Sequence, residues 1–230
     1  MFDGNWRSTV DKGLTPIGHS LRRTGITADA ITVVGILMAG VAAFTIGAGY
    51  MRVGFLFLLL TGIPDALDGA VARASGTGSD RGAFFDSVSD RLTDGLLFGG
   101  VAWHLASTEP GRIMMLPVAI MGLAMFISYQ RAKAESLGFD AKGGIMERAE
   151  RIIVLALALL FSELLIGILW VMLVLTAITA VQRFVKVWKQ ASQDRPLPAR
   201  RQRRQPRARR STSESVWRQR MRERRALRDG

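Results

Sequence analysis

Apolar positions in this chain gather into long runs separated by short polar breaks. The runs at 31–49, 113–129 and 152–181 are the longest. A run of about 18 or more apolar residues has the length of a membrane helix, because about 20 residues cross the hydrocarbon. The pattern predicts six spans, at 31–49, 53–73, 82–106, 113–131, 147–162 and 165–186. The last two come from one nearly continuous apolar stretch. Ser162 and Glu163 break it, and basic residues flank both of its ends, Arg148 and Arg151 before, Arg183 and Lys186 after. The positive-inside bias puts both ends in the cytoplasm, which requires two crossings. The first crossing borrows length from 147–151, a stretch expected as helix projecting into the cytoplasm.

The same bias orients the whole chain. Basic residues at 7–23, 73–91, 131–151 and beyond 183 fall on one side, so both termini are predicted to be cytoplasmic. The expected fold is all-α: a polytopic membrane bundle of six transmembrane helices plus an N-terminal amphipathic interfacial helix. In that segment Trp6, Val10, Leu14, Ile17 and Leu21 recur every three to four residues, and Arg7, Lys12, Arg22 and Arg23 supply a charged face. No early apolar core of a secretory signal is visible. The domain reading is an amphipathic juxtamembrane segment over 1–23, a six-span domain over 24–190 and a disordered Arg-rich cytoplasmic tail over 191–230.

Charge sharpens this picture. The chain carries a formal net charge of +12, and the tail holds fourteen arginines against four acids, or +10 of that total. From Asp194 through Ser215 its Arg, Gln, Pro and Ser composition cannot bury a core, while Val216–Leu227 can form a short basic helix. Anionic lipid headgroups are its expected contact. It lacks the stacking-aromatic pattern that would favour nucleic acid. The absence of cysteine excludes disulfides and thiolate chemistry.

Against this apolar background stand four carboxylates, Asp65, Asp68, Asp86 and Asp90. A charge within a membrane segment costs about 2.5–3.5 kcal/mol on insertion scales, so each needs a compensating partner. Asp65 and Asp68 are spaced i, i+3, and Asp86 and Asp90 i, i+4, so each pair shares a helix face. Two antiparallel helices joined by a short loop can bring all four together. Hard oxygen donors select Mg²⁺ or Mn²⁺. Four carboxylates can hold two ions, an arrangement suited to in-line phosphoryl displacement. Arg73 is placed to bind phosphate, and Ser79 to hydrogen-bond a ligand. Gly69 and Gly82 permit close approach of a ligand or neighbouring helix. Asp94 extends the Asp86–Asp90 face by a turn and is read as a supporting or structural group.

The string D65-x2-D68-G69-x2-A72-R73-x8-G82-x3-D86-x3-D90 resembles, position for position, the signature of the CDP-alcohol phosphotransferase family. The resemblance runs from about Thr15 to Lys186. It implies a homodimeric membrane enzyme that uses a divalent cation to transfer a phosphatidyl or related group from a CDP-linked donor to an alcohol, releasing CMP. It makes Asp65, Asp68, Asp86 and Asp90 metal ligands and Asp90 the general base as well. It assigns Gly69, Arg73 and Ser79 to the donor, CDP-diacylglycerol. Asp29, Ala30, Ile31 and Thr32 align with a donor-contacting element, with Ala28 in place of its usual Pro and Asp29 in place of its Asn.

The acceptor is read from a second cluster. Arg131, Lys133, Arg151 and Arg183 can converge above the metal site, and a cluster of cations there implies an acceptor with its own phosphate. The stretches 131–138 and 144–151 resemble those of an actinobacterial branch that joins CDP-diacylglycerol to inositol 1-phosphate, giving phosphatidylinositol phosphate. That resemblance assigns Ser128, Arg131, Lys133 and Arg151 to the acceptor phosphate. The alternative within the family is glycerol 3-phosphate as acceptor, giving phosphatidylglycerophosphate. Outside it, a transporter would spread its acids through the membrane depth, and a scaffold would not need the complete acidic set.

Overall fold

The structure, a computed structural model, describes residues 27–62 and 80–193. These form six α-helices and no strand. Helix α1 covers Ala28–Gly47. It starts after Thr27, which is extended and caps the helix: the Ala30 N–H donates to the Thr27 Oγ1 at 3.2 Å and to its carbonyl at 3.1 Å. Gly49, at φ 88°, lets the chain reverse at once into α2, Met51–Gly62.

Helix α3, Asp80–Thr108, has 29 residues. At about 1.5 Å per residue it is roughly 43 Å long, well beyond the roughly 30 Å of hydrocarbon. It packs closely on α1 where Gly100 meets Ala43, since a Cβ at Gly100 would lie 2.5 Å from the Ala43 carbonyl oxygen. Gly47 makes room for the Trp103 ring, which also packs against Phe44 with ring centroids 5.8 Å apart. Helix α4 is Met115–Ser136 and stops at Gly138, where φ is 80°. Helix α5, Arg148–Leu160, is followed by the 3₁₀ turn Ser162–Leu164 and by α6, Leu165–Ala191.

The polar break expected at Ser162 and Glu163 is therefore a turn between two helices. Among the described residues three apolar segments are long enough to cross a membrane: Asp29–Gly47, Met115–Ser136 and Ser162–Ala191. Helix α5 has only 13 residues, about 20 Å by the same rise, shorter than the hydrocarbon. Its basic end does not project freely as the sequence suggests. Arg151 is buried, and Arg148 lies against α3.

The core is formed by Leu97, Phe98, Val101, Ile120, Leu155, Leu159, Leu169 and Met172. Leu37, Phe44, Leu56, Trp170, Val171 and Val181 face outward, each more than half exposed. A surface this apolar matches hydrocarbon rather than water. The N-terminal amphipathic segment and most of the Arg-rich tail lie outside the described residues.

Candidate active site

Helix α3 presents its acids one turn apart. Asp86 is exposed and Asp90 half-buried, while Asp94, a further turn on, is buried. Opposite them stands the first turn of α5. Arg148 and Arg151, spaced i, i+3, meet Asp90 and Asp94, spaced i, i+4, so two helix faces pair charge for charge. The Arg148 Nη1 lies 3.0 Å from Asp90 Oδ1, and its Nε lies 3.5 Å from Asp94 Oδ1. Arg151 donates from Nη2 to Asp94 Oδ2 at 2.8 Å and from Nη1 to the Met146 carbonyl at 3.4 Å.

A third arginine is held nearby. Arg183, near the C-terminal end of α6, donates to the carbonyls of Ile127 at 3.2 Å and Gly143 at 3.1 Å, and to Glu147 Oε1 at 2.9 Å. Arg131 and Arg151 lie close enough to repel its charge. The loop 137–147 is tied to α6 along its length. The Met146 N–H donates to Thr179 Oγ1 at 2.9 Å, Lys186 donates to Asp140 at 2.8 Å, and the Gln190 amide bonds the Asp140 backbone on both sides. Gly143 and Gly144, at φ 94° and 151°, make that course possible. The Lys186 hydrogen bond holds the Asp140 carboxyl below its ordinary value.

Arg131, Arg151 and Arg183 thus share one end of the bundle, as the sequence suggests. Arg131 is exposed and pairs with Glu135 at 2.9 Å. Lys133 is exposed and Ser128 half-buried on the same helix. At the first turn of α1, Asp29 receives Arg81 from the start of α3 at 2.6 Å, while Ala30 is exposed, Ile31 buried and Thr32 half-buried. Asp65, Asp68, Gly69, Arg73 and Ser79 lie outside the described residues.

Among the described residues no three acidic or histidine side chains gather as a ligand set. A metal at Asp86 and Asp90 would therefore draw further donors from elsewhere, and Asp65 and Asp68 are the sequence's candidates. The described pair fits a hard cation, since a guanidinium already stands against Asp90 Oδ1.

Sequence reasoning missed two partners here, Arg148 for Asp90 and Glu147 for Arg183. The signal was present in the matched spacings of 90/94 and 148/151. What was absent was the interhelical register that aligns them.

Paired acids beside buried arginines, at one end of a bundle of apolar helices, suit a membrane enzyme that handles phosphate. The chain belongs to the CDP-alcohol phosphatidyltransferase family, whose model matches residues 25–182. It is 35% identical over 185 residues to the phosphatidylinositol phosphate synthase of Mycobacteroides abscessus, covering 77% of this chain and 84% of that one. It is 36% identical over 191 residues to the archaetidylinositol phosphate synthase of Methanothermobacter thermautotrophicus, covering 80% and 93%. The fold is similar to that of Mycobacterium tuberculosis phosphatidylinositol phosphate synthase with CDP-DAG bound. The TM-score is 0.72 and the identity 32%, over 76% of this chain and 93% of that one. It is also similar to the same enzyme in complex with manganese and citrate, with a TM-score of 0.71, over 76% and 88%.

Proposed function

We propose that this chain transfers the phosphatidyl group of CDP-diacylglycerol to inositol 1-phosphate, giving phosphatidylinositol phosphate and CMP. The observation that carries the acceptor is the grouping of Arg131, Arg151 and Arg183 at the end of the bundle where Asp90 lies. Two relatives named for different lipids also share inositol phosphate in their names.

Asp65, Asp68, Asp86 and Asp90 hold one or two divalent cations, Mg²⁺ or Mn²⁺. When bound, these neutralise the donor diphosphate and the CMP leaving group. Gly69, Arg73, Ser79 and the 29–32 turn hold the donor. Ser128, Arg131, Lys133, Arg151 and Arg183 hold the acceptor phosphate. Asp90 takes the proton of the acceptor hydroxyl as its oxygen attacks the β-phosphorus, and the bond from that phosphorus to the CMP oxygen breaks. A carboxylate beside cations is a weak base, so positioning and electrostatics supply most of the rate. The enzyme works as a six-span homodimer of the cell membrane with both termini in the cytoplasm, its arginine tail on anionic lipid.

The test is CMP release by the full-length enzyme in detergent with CDP-diacylglycerol and Mg²⁺. The acceptors compared are inositol 1-phosphate, glycerol 3-phosphate, free inositol and serine. Turnover confined to inositol 1-phosphate is the expected result. Robust use of glycerol 3-phosphate without inositol 1-phosphate would overturn the acceptor assignment.

A further inference from the structure

Among the described residues Asp94 is the most enclosed carboxylate at this end of the bundle, with 6% of its side chain exposed. It meets two arginines at once. Oδ2 takes the Arg151 Nη2 proton at 2.8 Å, and Oδ1 lies 3.5 Å from Arg148 Nε. The other end of the Arg148 fork rests on Asp90 at 3.0 Å. One guanidinium therefore bridges a buried acid and the acid read as ligand and base.

That bridge poses an electrostatic problem. A divalent cation on Asp90 would compete with Arg148 for that carboxylate and repel it. Nothing about Asp90 would then keep the arginine in place. Asp94 would, because its charge is enclosed and its position is locked by Arg151, itself only 3% exposed. Attraction across a poorly solvated gap is screened little, so a second carboxylate can retain an arginine that the first has released.

We propose that Asp94 is a positioning residue of the reaction, anchoring Arg148 so that Asp90 can pass from that guanidinium to a divalent cation while the arginine stays within the site. The proposal rests on the reading of Asp90 as a metal ligand. It adds that Arg148 competes with the cation and that Asp94 weakens the competition. Arg148, with 28% of its side chain exposed, then remains near the acceptor end, and Arg151 keeps its orientation there.

The test reads Mn²⁺ affinity directly, by the EPR signal of free Mn²⁺, on the full-length protein in detergent without substrates. Arg148→Gln removes the nearer arginine on Asp90, leaving Arg91 Nη1 at 3.7 Å from its Oδ2, and is expected to tighten Mn²⁺ several-fold. Asp94→Asn removes the buried anchor that draws Arg148 away from Asp90 and is expected to weaken Mn²⁺ several-fold. In the double variant the weakening should disappear, because Asp94 acts through Arg148. Simple loss of a negative charge would weaken Mn²⁺ equally in both backgrounds, and that result overturns the proposal. So does an Arg148→Gln variant that binds Mn²⁺ no more tightly than the parent.

Kinetics at saturating Mn²⁺ supply a second readout. Asp94→Asn should raise KM for the phosphorylated acceptor and leave KM for CDP-diacylglycerol unchanged. Equal changes in both would mean a merely structural role. Should Asp94→Asn fail to fold, Arg148→Gln decides by itself, and Asp94→Glu, which keeps the charge, should restore most of the Mn²⁺ affinity. Asp90→Asn separates the two levels. Unchanged Mn²⁺ affinity there overturns the ligand reading along with the proposal. Loss of Mn²⁺ binding there, with no recovery in the double variant, overturns the proposal alone.

Discussion

The Arg151 guanidinium lies 2.8 Å from the Asp94 carboxylate, with 3% and 6% of the two side chains exposed. This enclosed pair locks the first turn of α5 to the second half of the acidic face of α3. Removing one partner of such a pair leaves a charge with nothing adequate to solvate it.

Arg151→Ala should therefore destabilise the protein by about 3–5 kcal/mol, toward the lower end because Arg148 also faces Asp94. Replacing both residues with apolar side chains of similar volume should cost less than either single change. Thermal unfolding in detergent of both singles and the double measures this. A strictly additive double would show that the pair is not coupled.

Asp140 offers a pH dependence with a definite sign. Its folded-state carboxyl is held below the ordinary 3.8 by Lys186 and by the Lys142 backbone. The stabilisation is present above the ordinary value and is lost as pH falls through the lowered one. At neutral pH, Asp140→Asn should melt below the parent, and the difference should close as the medium is acidified. A gap that widens toward low pH would contradict the clasp between the loop and α6.

Gly144 sits where a Cβ would lie 2.5 Å from Thr179 Cγ2, at a φ of 151°. Gly144→Ala should cost about 1–3 kcal/mol from steric and backbone strain together. Because the loop leads into Glu147 and Arg148, the same variant should lower turnover more than it changes donor KM. Unaltered melting and turnover would show that the loop accommodates a side chain freely.

The Arg81–Asp29 pair is different in kind. Its side chains are 83% and 39% exposed, so water screens it and Arg81→Gln should move stability by no more than about 1 kcal/mol. Asp29→Ala should raise KM for CDP-diacylglycerol, as expected of a donor contact. If the donor KM stays put, the 29–32 turn is structural.

Chelation gives the last expectation. EDTA should abolish CMP release, and Mg²⁺ or Mn²⁺ should restore it, through the carboxylates at 65, 68, 86 and 90. Activity that survives thorough chelation would remove the metal from the mechanism.

Much of the architecture is legible in the chain itself. Helix α1 was expected at 31–49 and is Ala28–Gly47; α3 was expected at 82–106 and is Asp80–Thr108. The turn at Ser162–Leu164 falls at the polar break that divides the last apolar stretch. These features depend on local hydrophobic run length and on interruptions of it, and both are properties of sequence alone. The same holds for the i, i+4 placement of Asp86 and Asp90 on one face. What tertiary structure alone decided is which charge meets which. That Arg148 reaches Asp90, that Arg151 disappears beneath Asp94, and that Glu147 turns to Arg183 all depend on how α3, α5 and α6 are set beside one another. That register comes from packing of Leu97, Val101, Leu155 and Leu159 in a shared core. No local period encodes it, because an ion pair forms only where packing has already aligned two helices.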